Sequence, residues 1–244
     1  IPLLIPESDL NLRMKNGLTV LIHAVIKSDI NLVKLILKNE NVQIDLPDKK
    51  GNTPLFYAIR FTNIEIVNIL IKKNADVNWK NHKKITPLVL AILLEKNDII
   101  SRLLKEKVNP NVSDNNGNTL MMHVLKKGNL ELVKKFVEHG AKVNVQNNIG
   151  NSPLMIAILY NQYNIAKYLI KQGASVNAFN QWKYTPLIYA VKERNFAIAE
   201  LLLENKANLY HEDKNGYNAL RWAKMFQMNQ MIKLLKRYQK NTDR

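Results

Sequence analysis

The feature that most constrains this chain is a tripeptide that keeps returning. Thr19-Val20-Leu21, Thr53-Pro54-Leu55, Thr86-Pro87-Leu88, Thr119-Leu120-Met121, Ser152-Pro153-Leu154, Thr185-Pro186-Leu187 and Asn218-Ala219-Leu220 are spaced by 34 residues once and by 33 five times. A period held through so many steps specifies a repeat architecture. Each unit is then one small supersecondary element that buries its apolar face only by stacking on its neighbours.

The chemistry within a unit is legible. Asp48, Asp114 and Asp213 stand three residues before Gly51, Gly117 and Gly216. That spacing suits a type I turn, with the aspartate bonding its own backbone and glycine closing it. Thr or Ser then offers an N-cap oxygen, and proline takes the first helical position, where a missing N–H costs nothing. A short apolar helix is expected over 54–61. A second, over 64–71, carries Ile66, Val67, Leu70 and Ile71 at helical spacing. Ala58, Ala91, Ala157, Ala190 and Ala223 recur where two first helices must approach closely. The second helices end in Asn74-Ala75, Gly140-Ala141, Gly173-Ala174 or Lys206-Ala207. Asn and Gly tolerate the left-handed conformation that follows a helix, so Lys107 and Lys206 at this position are expected to be strained.

With its Thr-Pro-Leu opening and an ending such as Ala75-Asp76-Val77-Asn78, Ala141-Lys142-Val143-Asn144 or Ala174-Ser175-Val176-Asn177, the unit resembles the ankyrin repeat. The resemblance implies an all-α solenoid of paired short antiparallel helices joined by hairpin loops. One domain would hold the tail of a truncated repeat at 1–14 and seven repeats at 15–47, 48–80, 81–113, 114–146, 147–179, 180–212 and 213–244. The last of these doubles as a cap, with Lys233, Lys236, Arg237 and Lys240 giving it a polar surface. The family often has His after Thr-Pro-Leu. Here Ile22, Phe56, Val89, Met122, Met155, Ile188 and Arg221 stand there, so apolar contact is expected to replace a polar network. Asn78, Asn111, Asn144 and Asn177 are expected to bridge successive loops, and in this family such asparagines can be hydroxylated.

The resemblance also implies the work: binding a protein partner through a concave surface of hairpin tips and first-helix ends. In this register that surface holds Lys50, Arg60, Phe61, Lys83, Leu93, Leu94, Lys126 and Lys127 in its earlier part. Leu159, Tyr160, Trp182, Tyr184, Tyr217 and Phe226 follow in its later part. Asn16 is one of the first tip residues. Trp182, Tyr184 and Tyr217 are the expected aromatic anchors, since exposed aromatics dominate binding hot spots.

Composition narrows the alternatives. The 244-residue chain has a net charge of +16 and no cysteine, which removes disulfides and thiolate chemistry and fits a reducing, intracellular compartment. The positive charge lies mostly in the middle repeats and the C-terminal one; the resemblance implies a protein partner, for which an acidic surface would be complementary, and binding of nucleic acid or an anionic surface through the basic repeats is the alternative. Lysines at matching second-helix positions (Lys34, Lys134, Lys167, Lys233; Lys38, Lys72, Lys105, Lys171) read as a solvated outer face. The run from Ile85 to Leu94 is interrupted by Thr86 and Pro87 and is too short to span a bilayer, which takes about 20 residues.

No phosphate loop, nucleophile elbow or His-Glu-x-x-His helix is present, so neither catalysis nor a metal or cofactor is expected. The chain begins at Ile1 rather than Met and reads as a piece of something longer, which leaves an ankyrin portion of a larger enzyme as an alternative. Heavy use of Lys, Asn and Ile, together with a eukaryotic-type repeat, fits an effector acting in a host-cell cytoplasm.

Overall fold

The computed structural model describes residues 10–15 and 17–242, so the tip residue Asn16 and most of the expected N-terminal tail lie outside the described residues. Among the described residues seven helix pairs follow one another: α1 (Val20–Ile26) and α2 (Ile30–Ile36), α3 (Pro54–Arg60) and α4 (Ile64–Lys72), α5 (Pro87–Leu93) and α6 (Asn97–Leu104). Then come α7 (Leu120–Leu125) and α8 (Leu130–Glu138), α9 (Pro153–Leu159) and α10 (Tyr163–Lys171), α11 (Pro186–Lys192) and α12 (Phe196–Glu204), α13 (Ala219–Met225) and α14 (Asn229–Thr242). Among the described residues the only extended pairing is two isolated bridges, Arg13 with Thr19 and Ser113 with Thr119. The chain divides into two compact units, Ile1–Asn109 with α1–α6 and Pro110–Arg244 with α7–α14.

Most helices start where a side chain satisfies a free N–H group of the first turn. The hydroxyls of Thr19, Thr86, Thr119, Ser152 and Thr185 and the amide oxygen of Asn218 accept from the backbone N–H three residues on. Thr53 departs from this pattern. Its buried hydroxyl has no partner, and the first turn of α3 instead closes through Phe56 N–H on the Thr53 carbonyl at 3.0 Å. Asp29, Asn63, Asn129 and Asn195 cap α2, α4, α8 and α12 in the same way, whereas α6 and α10 have no side-chain cap.

Within the first unit α1 packs on α3 and α3 on α5, while α2 packs on α4 and α4 on α6. Within the second, α7, α9, α11 and α13 form one row and α8, α10, α12 and α14 the other. The first-helix row is held by fully buried small residues. Ala24, Ala58, Ala91, Ala157, Ala190 and Ala223 have no exposed surface, and α7 places Val124 there instead. The residues standing where the family often has His are indeed apolar and buried at Ile22, Phe56, Met122, Met155 and Ile188; Val89 is half-buried and Arg221 exposed.

The asparagine bridges are present. The Nδ2 groups of Asn78, Asn111, Asn144 and Asn177 donate to the carbonyls of Lys107, Gly140, Gly173 and Lys206, 29 residues ahead, at 3.0 to 3.3 Å. The amide oxygens of the last three also accept from Lys142, Ser175 and Asn208 N–H. At the same position Asp45 accepts from Asp76 N–H and Asn11 from Gln43 N–H. These bonds satisfy loop backbone groups that otherwise have no ladder.

One expectation divides. Lys206 does sit in the left-handed region at φ +65, like Asn74 at +65, Gly140 at +85 and Gly173 at +84. Lys107 does not: α6 stops at Leu104, the chain turns through Glu106 N–H on Leu103 O, and no positive φ is needed. The two lysines therefore respond oppositely to glycine. Lys206→Gly is expected to raise the unfolding free energy measured by urea titration by about 0.5–1 kcal/mol, because a left-handed residue with a Cβ costs about 1–2 kcal/mol. Lys107→Gly only loosens the unfolded chain and is expected to cost about 0.5–1 kcal/mol. Equal signs for the two would contradict this account.

Candidate functional site

The site is built on the hairpin tips. From the second helix pair onward each is opened by an Asp or Asn whose side-chain oxygen accepts two backbone N–H groups, two and four residues on, whereas Met14 stands at that position before α1. Asp48 holds Lys50 and Asn52, Asn81 holds Lys83 and Ile85, and Asp114 holds Asn116 and Asn118. Asn147 holds Ile149 and Asn151, Asn180 holds Trp182 and Tyr184, and Asp213 holds Asn215 and Tyr217. Candidate residues Lys50, Lys83, Trp182, Tyr184 and Tyr217 are thus placed by direct bonds to the turn head.

The free side of the head group decides whether it is Asp or Asn. Where it is Asp, the residue nine positions on, in the first helix, aims a donor at the second carboxylate oxygen: Tyr57 Oη at 2.7 Å, His123 Nε2 at 3.0 Å, Trp222 Nε1 at 2.8 Å. Where it is Asn, the amide donates instead to the side chain of the preceding tip, Asn81 to Asn52, Asn147 to Asn118 and Asn180 to Asn151, at 2.8 to 2.9 Å. The polar network missing from the usual position is thus rebuilt one residue further along the first helix. Burial pushes the Asp48 carboxyl up, but bonds from Tyr57, Asn52 and Lys50 outweigh it and hold the group below the ordinary carboxylate value. Burial and the same bond to Asp48 push the Tyr57 phenol up to about 12.

Successive tips are also joined by backbone. Within the first unit His82 N–H donates to Lys50 O at 3.2 Å. Within the second, Asn148 donates to Asn116 O, Gln181 to Ile149 O and Lys214 to Trp182 O, at 3.0 to 3.1 Å. This ladder stiffens the fingers that present the candidate side chains.

In the first unit Lys50, Lys83 and Arg60 are exposed, and so are the apolar Phe61, Leu93 and Leu94 at the ends of α3 and α5; Leu93 is 64% exposed. In the second unit Lys126, Lys127, Tyr160 and Trp182 are exposed, whereas Leu159, Tyr184, Tyr217 and Phe226 are half-buried.

The half-burial of the later aromatics has one cause. They close around Trp222 of α13, a residue only 7% exposed that the tip-and-helix-end register does not single out. Tyr184, Tyr217 and Phe226 have ring centroids 6.4, 5.4 and 5.4 Å from it. Tyr184 also meets Tyr189 edge-on at 5.6 Å and Trp182 at 6.2 Å. The tyrosines were expected to stand free at the tips. They instead hold the tips of the last two helix pairs onto the first helices, and Trp182, at 40% exposed, remains the open edge of the cluster.

Three cations lie on these rings. Lys192 Nζ is 3.5 Å from the Trp222 centroid and 4.9 Å from that of Tyr184. Arg221 lies 4.2 Å over Tyr217, and Arg194 5.9 Å over Phe226. Burial pulls the Lys192 ammonium below the usual lysine value, against the fields of Asp213 and Glu193. A signal for Trp222 was present in the sequence: Tyr57, His123 and Trp222 each stand nine residues after the turn aspartates Asp48, Asp114 and Asp213.

The lysine ladders of the second helices behave differently. Lys34 pairs with Glu65 at 3.1 Å and Lys134 with Glu131 at 2.7 Å, both exposed, where such pairs contribute little. Among the described residues no three His, Asp or Glu side chains are grouped to hold a metal, and no helix is long and apolar enough to cross a membrane.

Comparison with known families agrees with the architecture. Residues 1–81 and 88–180 match the family model described as ankyrin repeats (3 copies), and residues 169–223 match the one described as ankyrin repeats (many copies). An ankyrin repeat protein of Acanthamoeba polyphaga mimivirus is 33% identical over 76 residues. That match covers 31% of this chain and 10% of the viral protein's length.

Proposed function

The chain belongs to the ankyrin-repeat family, whose repeats are protein–protein interaction modules, and from that premise we propose that it is a non-catalytic adaptor gripping a partner protein with its hairpin tips and first-helix ends. The observation that carries this reading is a set of exposed apolar side chains on the tips and first-helix ends, although Leu35, Ile64, Tyr163 and Phe196 are also exposed on second helices. Phe61, Leu93 and Leu94 in the first unit, and Ile149, Tyr160, Trp182 and Met225 in the second, are large, exposed, and placed on tips or at first-helix ends. Apolar surface of this kind in water marks an interaction site. Around it stand Lys50, Arg60, Lys83, Lys126 and Lys127, all exposed, which favours an acidic partner surface. The likeness to a viral ankyrin protein fits an effector that works inside a host cell.

Photo-crosslinking tests the reading. A benzophenone amino acid at Leu93 or Tyr160 is expected to form adducts with protein from a eukaryotic lysate. The same group at Leu35, which is 60% exposed on α2, is expected to form none. Adducts at Leu35 alone, or adducts with nucleic acid alone, would reject the proposal.

A further inference from the structure

We infer that the ring-seated cations Lys192, Arg194 and Arg221 of the second unit form a docking surface for an acidic, extended segment of a partner protein. The inference rests on the protein-binding reading above and names the partner's chemistry at one part of the surface.

Lys192 is half-buried, and Arg194 and Arg221 are exposed. Among the described residues none of the three pairs with a carboxylate, although Lys34, Arg102, Lys134 and Arg237 each do. The nearby Asp213 carboxylate is 4% exposed, with its oxygens taken by Asn215 N–H, Tyr217 N–H and Trp222 Nε1. Glu193 is the neighbouring acid and is exposed. The ring faces hold the cations by their negative quadrupole. That contact uses the face of a guanidinium or one side of an ammonium and leaves N–H donors pointing away from the ring. Arg221 makes one long bond, to Gly216 O at 3.3 Å.

An incoming carboxylate therefore finds donors already immobilised, with no internal ion pair to break. Both conditions favour binding, since less side-chain freedom is lost and charge-assisted bonds are the stronger kind. Lys192 and Arg194 belong to the α11–α12 pair and Arg221 to α13. Packed helices stand about 8–10 Å apart, which an extended chain rising about 3.3 Å per residue covers in about three residues. The fitting ligand is thus a strand with carboxylates roughly three residues apart, and Trp182 offers it an exposed apolar edge.

The test uses a fluorescein-labelled peptide with glutamate at every third position, titrated into the whole chain and followed by anisotropy and by the tryptophan indole N–H signals in NMR. The indole signals of Trp182 and Trp222 are expected to shift, and that of Trp79, in the first unit, to stay. Changing Lys192, Arg194 and Arg221 together to glutamine is expected to weaken the peptide at least tenfold. Removing the same charge from the outer face, with Lys38→Gln, Lys72→Gln and Lys171→Gln, is expected to change affinity less than twofold. Circular dichroism on both triple variants checks that they fold. Equal losses from the two triples, a shift confined to Trp79, or tighter binding of a single-stranded oligonucleotide would overturn the inference. If cross-links to a partner survive while the peptide fails to bind, only this assignment falls; if no protein cross-links at all, the reading beneath it falls too.

Discussion

Asp213→Ala is expected to destabilise the C-terminal helix pairs by about 3 kcal/mol, because hydrogen bonds to a charged group contribute about 1.5–3 kcal/mol each and a buried orphan donor costs about 1–3 more. Asp213 accepts from Asn215 N–H, Tyr217 N–H and Trp222 Nε1. The two backbone donors lie at a hairpin tip and can recover water when the carboxylate is lost. The indole of Trp222 cannot, because it is roofed by Tyr184, Tyr217 and Phe226. Asp213→Asn separates these contributions. Its amide oxygen can keep the backbone bonds, but its NH₂ then faces the indole N–H, donor against donor, and a loss of about 2 kcal/mol is expected from the unpaired buried groups. In a Trp222→Phe background that clash disappears, so the same change should cost clearly less; coupling of this size is usual for residues in contact. Urea titrations followed by helix circular dichroism measure all four corners. Additive losses would show that the indole and the carboxylate do not act together.

Ala157→Leu is expected to lower stability by about 1–3 kcal/mol through overpacking. Ala157 has no exposed surface, and α9 is packed against α7, α10 and α11 on its several sides. Three added carbons have nowhere to go unless the row of first helices spreads, and spreading would also stretch the tip-to-tip bonds from Asn148 to Asn116 and from Gln181 to Ile149. Ala157→Val should be milder, since α7 already carries Val124 at the equivalent position, 4% exposed. An unchanged urea midpoint for Ala157→Leu would mean that the close approach lies elsewhere in the helix. Because repeat arrays unfold in segments, the comparison is best made at matched probes for the second unit rather than as one global midpoint.

The sequence by itself determined the local structure and the stacking register. Turn heads, N-caps, Pro at the first helical position and small residues at the contact all act within a dozen neighbouring residues, and a strict period repeats them. Hence the predicted 54–61 and 64–71 became α3 and α4, Pro54–Arg60 and Ile64–Lys72. The asparagine bridges followed for the same reason, since donor and acceptor are separated by nearly one period. Other features needed the tertiary structure because their partners converge from different helix pairs. Nothing in the local pattern says that Lys107 escapes the left-handed turn while Lys206 adopts it, since helix length before each is settled by packing. Tyr184, Lys192 and Trp222 come from a tip and from two first helices, so only stacking places an ammonium 3.5 Å from an indole. The sequence marked the tip tyrosines as aromatic. Whether they faced a partner or their own protein depended on Trp222, a buried tryptophan of α13.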